Sequence, residues 1–237
     1  MGIDKTRFGE QPFPNNIATQ YDQNNVGEKY LAKRKVDSVT ETAHPSAQFI
    51  RDRLKDPTGK GLVDVGCGGG EDFAEYLKLG FRDAKGVEPS AVMAEAARKL
   101  VGDSAAIVDG TWTKLPFPDV SQDYVIGRSS LHYEEDIDAA YREAARVLKP
   151  GGILIVVVAH PGKAANRQIV ARNGREYVQD RLHDRQVPIT YPRHTMEEYF
   201  SSTFKQLFVL PEEPTTITKE RPDGPELDQL AYIARKL

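Results

Sequence analysis

The stretch that constrains the fold most is Leu62-Val-Asp-Val-Gly-Cys-Gly-Gly-Gly-Glu-Asp72, an apolar run that empties into a glycine cluster and then a helical pattern. A buried strand turning sharply into a helix satisfies both halves. The same alternation of β-rich run and helical pattern continues to residue 160, which is how a parallel sheet is built through βαβ crossovers. Strands are predicted over residues 61–65, 84–88, 105–109, 124–128 and 153–159, with helices over 72–80, 90–100 and 137–148. Gly80 and Lys149-Pro-Gly-Gly152 stop two of those helices, and Ser90 caps the start of the other. Residues 153–159 are apolar throughout, as a strand buried on both faces must be.

Beyond Ala159 the rhythm breaks. Residues 161–193 are rich in Arg, Asn, Gln and Asp, so they are predicted to form an insertion over one end of the sheet. The core resumes with a capped helix over 195–202, a strand over 204–210, a Pro-rich connection and a last strand near 230–235. Ahead of the sheet, residues 20–39 form a polar helical pattern anchored by Tyr21, Tyr30 and Leu31. The expected organisation is an N-terminal helical lid over 1–45, a core over 46–160, a substrate cap over 161–195 and the remainder of the core sheet over 196–237.

Composition narrows the partners. A net charge of −3 gives no global attraction to a polyanion, so nucleic acid is not an expected partner. One cysteine, Cys67, excludes an intrachain disulfide framework and a multi-cysteine metal site, and no acidic metal cluster is apparent. No segment approaches the roughly 20 apolar residues of a membrane helix, and no apolar leader follows Met1, so a cytoplasmic protein, monomer or homodimer, is expected.

In an open parallel sheet ligands bind at the carboxyl ends of the strands, where residues 66–70 fall. A dinucleotide fingerprint that starts at Gly66 and Gly68 would put Glu71 where a third glycine or alanine is needed. A phosphate loop fails as well, because no Lys-Ser/Thr pair follows. Asp64, Glu71 and Asp72 would repel a pyrophosphate but attract a ligand carrying a sulfonium and an ammonium group.

That ligand is S-adenosylmethionine, and the chain resembles the class I S-adenosylmethionine-dependent methyltransferases, in their small-molecule branch. The resemblance rests on Val63-Asp64-Val65-Gly66-Cys67-Gly68-Gly69-Gly70, on Glu88 closing the second strand, and on Asp109-Gly-Thr-Trp-Thr-Lys-Leu-Pro-Phe117. Asp123 to Arg128 with Ser129-Ser-Leu-His132, and Arg146-Val-Leu-Lys-Pro-Gly-Gly152, extend it over about residues 60–160. It implies a Rossmann-like α/β fold, with a mostly parallel seven-stranded sheet, helices on both faces and the last strand antiparallel.

It also implies that Asp64, Gly66, Cys67 and Gly68 wrap the methionine part, that Glu88 with Pro89 meets the ribose, and that Gly110, Thr111 and Trp112 meet the adenine. Many relatives have Asp-Ala where this chain has Thr111-Trp112, and Trp112 suits a core position equally. Arg128, which closes the fourth strand, is a further cofactor-side candidate, and Tyr21 and Tyr30 suit a lid over the sulfonium or simple anchors of the N-terminal helix. Cys67 reads as a space-filling residue, since a catalytic cysteine needs a basic partner.

His132, His160 and His194 are the candidate acceptor-side residues; His44 and His183 lie in polar stretches and read as surface positions. Arg128-Ser-Ser-Leu131 stands where a methyltransferase of exocyclic adenine nitrogens or protein glutamine has Asn/Asp-Pro-Pro-Tyr, which argues against that branch.

The expected reaction is in-line methyl transfer to an O or N atom of a small organic acceptor. C-methylation of a quinone-like or other activated ring is the alternative. A catalytically silent S-adenosylmethionine-binding module and a nicotinamide-dependent oxidoreductase are the competing classes, the latter disfavoured by Glu71.

Overall fold

A computed structural model gives the fold and describes residues 16–41, 44–102, 106–182, 187–220 and 225–237. His183 and Ala105 lie outside the described residues. The predicted core elements appear as β1 (Gly61–Val65), α3 (Glu71–Leu77), β2 (Asp83–Val87), α4 (Ala91–Val101), β3 (Ala106–Val108), β4 (Gln122–Arg128), α5 (Ile137–Val147) and β5 (Leu148–Ala159). Before them lie a 3-10 turn (Gln20–Asp22), α1 (Val26–Glu41) and α2 (Pro45–Arg51).

Strands β1 to β5 pair in parallel in the order β3-β2-β1-β4-β5. The chain winds outward from β1 through β2 to β3, then returns to lay β4 on the other side of β1. The strand order therefore switches between β1 and β4, which is where such sheets open a crevice.

Period-2 alternation in the central strands divides the apolar residues between two cores. Val63, Val65, Val125, Leu154, Val156 and Val158 face α5, whose Ala140, Tyr141 and Ala144 are fully buried. Leu62, Tyr124, Ile126, Ile155 and Val157 face α2, α3 and α4 through Phe49, Ile50, Phe73, Tyr76 and Ala97. Each fully buried aliphatic or aromatic side chain contributes roughly 1.5–3 kcal/mol. The first core also holds Tyr141, whose hydroxyl donates to Tyr199 O at 2.9 Å and pairs with the Tyr232 hydroxyl at 2.6 Å, so the buried phenols keep hydrogen-bond partners.

The sheet is completed by β9 (Phe208–Val209), β10 (Thr215–Lys219) and β11 (Glu226–Lys236). β11 runs antiparallel to β5, and β10 and β9 run antiparallel to β11, so β11 alone opposes the direction of the others among the described strands of this sheet. One prediction is corrected here. Residues 204–210 do not form the sixth strand: α6 (Met196–Tyr199) is followed by α7 (Ser202–Leu207), and only the two residues of β9 are extended. Ser201 caps α7 by accepting from Phe204 N–H, and Phe204 enters the core from the helix. The edge place is taken by β10, within the connection read as Pro-rich.

The polar insertion supplies no central strand. It forms a separate antiparallel sheet, β6 (Gln168–Arg172), β7 (Arg175–Leu182) and β8 (Val187–Pro192), after a 3-10 turn (Pro161–Asn166).

Candidate functional site

The glycine loop begins where β1 ends. Gly66 N–H and Cys67 N–H both donate to Val87 O, at 2.7 and 3.1 Å, which folds the loop toward β2. Gly66, Gly68 and Gly70 have φ of +73°, +59° and +87°, a region where a side chain is strained. Gly66 is doubly constrained, since a Cβ there would overlap Ser130 Cβ and lie 3.0 Å from its Oγ.

Ser130 is a residue the sequence reading did not single out. Its hydroxyl donates to Val65 O at 2.5 Å and accepts from Trp112 Nε1–H at 3.0 Å. The end of β1, the loop after β4 and the segment after β3 are thereby tied at one buried atom. Trp112 itself is 2% exposed and packs in the α5-side core, its ring against Gly127.

The remaining adenine-side candidates lie nearby: Glu88 N–H donates to Val108 O at 3.0 Å, joining the ends of β2 and β3. Thr111 closes a tight turn with Lys114 through two backbone hydrogen bonds, of 3.2 and 3.1 Å, and a Cβ at Gly110 would meet Val87 and Lys114 O within 3.0 Å. Arg146 fixes this segment from α5, donating to Leu115 O and Phe117 O at 3.0 and 2.8 Å.

Asp64 and Glu88 are both buried, at 4% and 6% exposure. Burial pushes the Asp64 carboxyl well above its ordinary range; Asp72 and Glu88 push the same way and Arg128 opposes them. Burial pushes Glu88 up to about 7, against the pull of hydrogen bonds from Ser90 N–H and Gly68 N–H, each 2.9 Å. Pro89 lies between Glu88 and Ser90 and leads the chain into α4, whose N-cap is Ser90.

A ligand with cationic groups and ribose hydroxyls would return both carboxyls to the ionised state, so these residues fit S-adenosylmethionine. Cys67 points its Sγ toward β2, where it would lie 2.9 Å from a Cβ at Gly86, and burial pushes the thiol up.

Asp72, by contrast, is already paired. Its Oδ2 accepts from Arg128 Nε at 2.6 Å and Nη2 at 2.5 Å, with both side chains mostly buried, and Arg128 Nη1 lies 3.4 Å from Ser46 Oγ. The charge expected to attract the cofactor is thus compensated at Asp72, which leaves Asp64 and Glu88 as the buried carboxyls beside the loop. Asp72→Ala should lower stability by about 3 kcal/mol, because Arg128 is left as a buried charge without this partner. Urea unfolding of the variant checks it, and a loss below about 1 kcal/mol would show that water solvates the guanidinium.

The acceptor-side candidates separate. His132 is buried between Tyr133 and Tyr191, with ring centroids 4.4 and 4.9 Å away, and its Nδ1 accepts from Ala159 N–H at 3.4 Å. Burial, with His194 and Lys163 nearby, pushes it down to about 3. His194 is pushed down to about 4, chiefly by burial. Its Nε2 donates to Glu134 O at 3.0 Å and its Nδ1 accepts from Arg175 Nη2 at 3.2 Å, while Arg175 Nη1 donates to Glu135 O at 2.7 Å. These bonds from β7 and residue 194 pin the loop that carries His132.

His160 lies elsewhere, beside β10: its Nδ1 accepts from Gly162 N–H at 3.0 Å and its Nε2 is 3.4 Å from Thr216 Oγ1. His44 caps α2, accepting from Ser46 N–H at 3.2 Å. Tyr21 stacks edge-on with Tyr30 and Tyr133, at 5.4 and 6.1 Å, and shares a 3.0 Å hydrogen bond with the Tyr133 hydroxyl. α1 lies over the glycine loop, where a Cβ at Gly69 would be 2.8 Å from Leu31.

Among the described residues no group of three or more His, Cys, Asp or Glu could hold a metal ion, and no helix is long and apolar enough to cross a membrane.

A family model described as a methyltransferase domain matches residues 63–156. The chain is 28% identical over 187 residues to 27-O-demethylrifamycin SV methyltransferase of Amycolatopsis mediterranei (strain S699), covering 71% of this chain and 69% of that protein. It is 32% identical over 100 residues to the sterol 24-C-methyltransferase ERG6B of Gibberella zeae, covering 40% of this chain but only 26% of that protein.

In fold, a putative S-adenosylmethionine-dependent methyltransferase from Listeria monocytogenes superposes with a TM-score of 0.65 at 17% identity, covering 82% of this chain and 99% of that one. The domain match spans the stretch that carries the glycine loop, Glu88 and His132, and the fold around it is that of the class I S-adenosylmethionine-dependent methyltransferases.

Proposed function

We propose that the chain transfers a methyl group from S-adenosylmethionine to an oxygen or nitrogen of a small organic acceptor. The cofactor supplies a methyl already activated on a sulfonium, so the protein's main contribution is alignment. Holding a near-attack geometry can be worth about 7–11 kcal/mol.

The observation that carries the acceptor side is His132, neutral and buried where the β4 loop meets the cap strand β8 through Tyr133 and Tyr191. With Nδ1 accepting from Ala159 N–H, the ring proton sits on Nε2, a donor that can orient an acceptor oxygen. Its low basicity suits orientation better than proton removal, so the reading favours an acceptor hydroxyl or amine that is reactive without a strong base. Under this reading the β6–β8 sheet is the substrate cap and residues 16–41 the lid, and together they exclude water during transfer.

C-methylation is kept as a second reading because four tyrosine rings, Tyr21, Tyr30, Tyr133 and Tyr191, gather here. Their faces would suit a cationic ring or alkene centre, and the names of the two relatives divide between O- and C-methylation.

The test is S-adenosylhomocysteine release with a panel of hydroxylated, amino and activated-ring acceptors, with 13C-methyl-labelled cofactor to read the atom methylated. A carbon-bound methyl in every product would replace the leading reading with the second. Cofactor binding with no turnover on any acceptor would move the assignment to a silent binding module. His132→Gln should lower kcat by about tenfold or more while S-adenosylmethionine affinity stays within threefold. A selective loss of cofactor affinity would take His132 off the acceptor side.

A further inference from the structure

Three consecutive residues of the first 3-10 turn each bond to a different wall of the site. Gln20, 5% exposed, lays its carboxamide along the edge of β8: Nε2 donates to Thr190 O at 2.8 Å, and Oε1 accepts from Thr190 N–H at 2.8 Å. β8 is the outer strand of its sheet and pairs with β7 on its other side, so one side chain supplies the pair of bonds another strand would make.

Tyr21 reaches the loop after β4 through the Tyr133 hydroxyl. Asp22 reaches the start of α4, where Oδ1 accepts from Ser90 Oγ–H at 2.6 Å and Val92 N–H at 3.1 Å, and Oδ2 from Ala91 N–H at 3.3 Å. Ser90 in turn donates its N–H to Glu88. The turn is closed without any of these contacts, through Asp22 N–H to Thr19 O and Gln23 N–H to Gln20 O. The Tyr21 and Asp22 side chains therefore serve the walls, while Gln20 Nε2 serves both, donating to Ile17 O within the turn at 3.1 Å as well as to Thr190 O.

We propose that Gln20 and Asp22 are positioning residues that couple the two halves of the site. A ligand that orders Glu88 and Ser90 orders Asp22, and Gln20 carries that order to β8, whose Tyr191 packs against His132. The coupling is reciprocal, so docking of the cap also favours the cofactor-bound state. The proposal rests on the methyltransferase reading above.

Hydrogen exchange of the full chain, with and without saturating S-adenosylhomocysteine, tests it. In the parent protein the ligand should slow exchange across residues 187–192 about fivefold or more, along with the glycine loop at 66–70. In Asp22→Ala the slowing at 66–70 should remain while that at 187–192 falls below twofold. Asp22→Asn, which keeps one acceptor oxygen, should fall between the two. Gln20→Ala should leave Thr190 fast-exchanging with or without ligand and, because the coupling is reciprocal, weaken ligand binding by about the same factor as the slowing lost at 187–192, and Gln20→Glu, which retains the acceptor for Thr190 N–H, should restore part of the protection. Ligand-dependent slowing at 187–192 that survives in Asp22→Ala, or that is absent in a parent protein which binds the ligand, would overturn the coupling. Failure of the parent to bind S-adenosylhomocysteine at all would overturn the cofactor assignment instead.

Discussion

Gly66→Ala is expected to weaken S-adenosylhomocysteine binding by 100-fold or more while leaving the chain folded. Two costs add at this position. An alanine at φ +73° is in the left-handed region, at roughly 1–2 kcal/mol. Its Cβ also overlaps Ser130 Cβ, and Ser130 is not free to retreat, because it is held between Val65 O and the Trp112 indole. The loop must therefore move away from the end of β1, and with it the backbone of residues 67 and 68, which the proposed reading sets against the cofactor.

Gly80 is the control. It has φ +92° but nothing within 4 Å of an added Cβ, so Gly80→Ala pays the backbone strain alone and should leave binding unchanged. Isothermal titration of both variants, with thermal melts to confirm folding, separates the two costs. Binding by Gly66→Ala within threefold of the parent would mean that this turn does not shape the cofactor site.

What could be read from the sequence was what short range encodes. The glycine loop, Glu88 and the β-α alternation to residue 159 each depend on residues a few positions apart, and the sheet places them as the pattern required. Residues 204–210 failed because Phe204, Leu207 and Phe208 satisfy a helical spacing as well as a strand, and the cap at Ser201 decides for the helix. Two further signals were present but unused. Thr215-Thr-Ile-Thr-Lys219 is rich in β-branched residues, though with only Ile217 buried it has an edge strand's weak hydrophobic pattern.

Asn173-Gly174, both at positive φ, joins β6 to β7 as an Asn-Gly hairpin turn between Ile169-Val170 and Tyr177-Val178. The site's electrostatics were legible only in part. Asp72 meets Arg128 across 56 positions and Asp22 meets Ser90 across 68, and no periodicity encodes such pairs. The excess of acid beside the loop is thus smaller than its sequence suggests, and it falls mainly on Asp64 and Glu88.

That concentration makes cofactor affinity pH-dependent in a definite direction. Glu88 moves from an ordinary 4.5 to about 7 in the folded, cofactor-free chain because burial outweighs its two backbone hydrogen bonds. Ribose hydroxyls donate to an ionised carboxylate, so binding selects the ionised form. Below pH 7 the ionised fraction falls tenfold per unit, and the dissociation constant for S-adenosylhomocysteine should rise by up to tenfold per unit between about pH 7 and 5.

The same raised pKa acts on folding with the opposite sense. The unfolded chain releases this proton near 4.5 while the folded chain holds it to about 7, so the stability that Glu88 contributes at low pH is lost as pH rises through that window. The slope is about 1.4 kcal/mol per unit. Asp64 adds a slope of the same sign. His132 and His194, held neutral by burial, add slopes of the opposite sign below pH 6.5, so the total curve of the parent protein does not isolate Glu88.

The difference between the parent and Glu88→Gln does isolate it. The variant should bind S-adenosylhomocysteine about 10- to 100-fold more weakly at pH 8, the loss of charge-assisted hydrogen bonds worth roughly 1.5–3 kcal/mol. Its affinity should then change less with pH than the parent's, and its cofactor-free stability should gain on the parent's between pH 5 and 7. Titrations and urea unfolding at pH 5, 6, 7 and 8 supply both differences. Parallel pH curves for the two proteins would mean that Glu88 is already ionised in the empty site and that its carboxylate is solvated rather than buried.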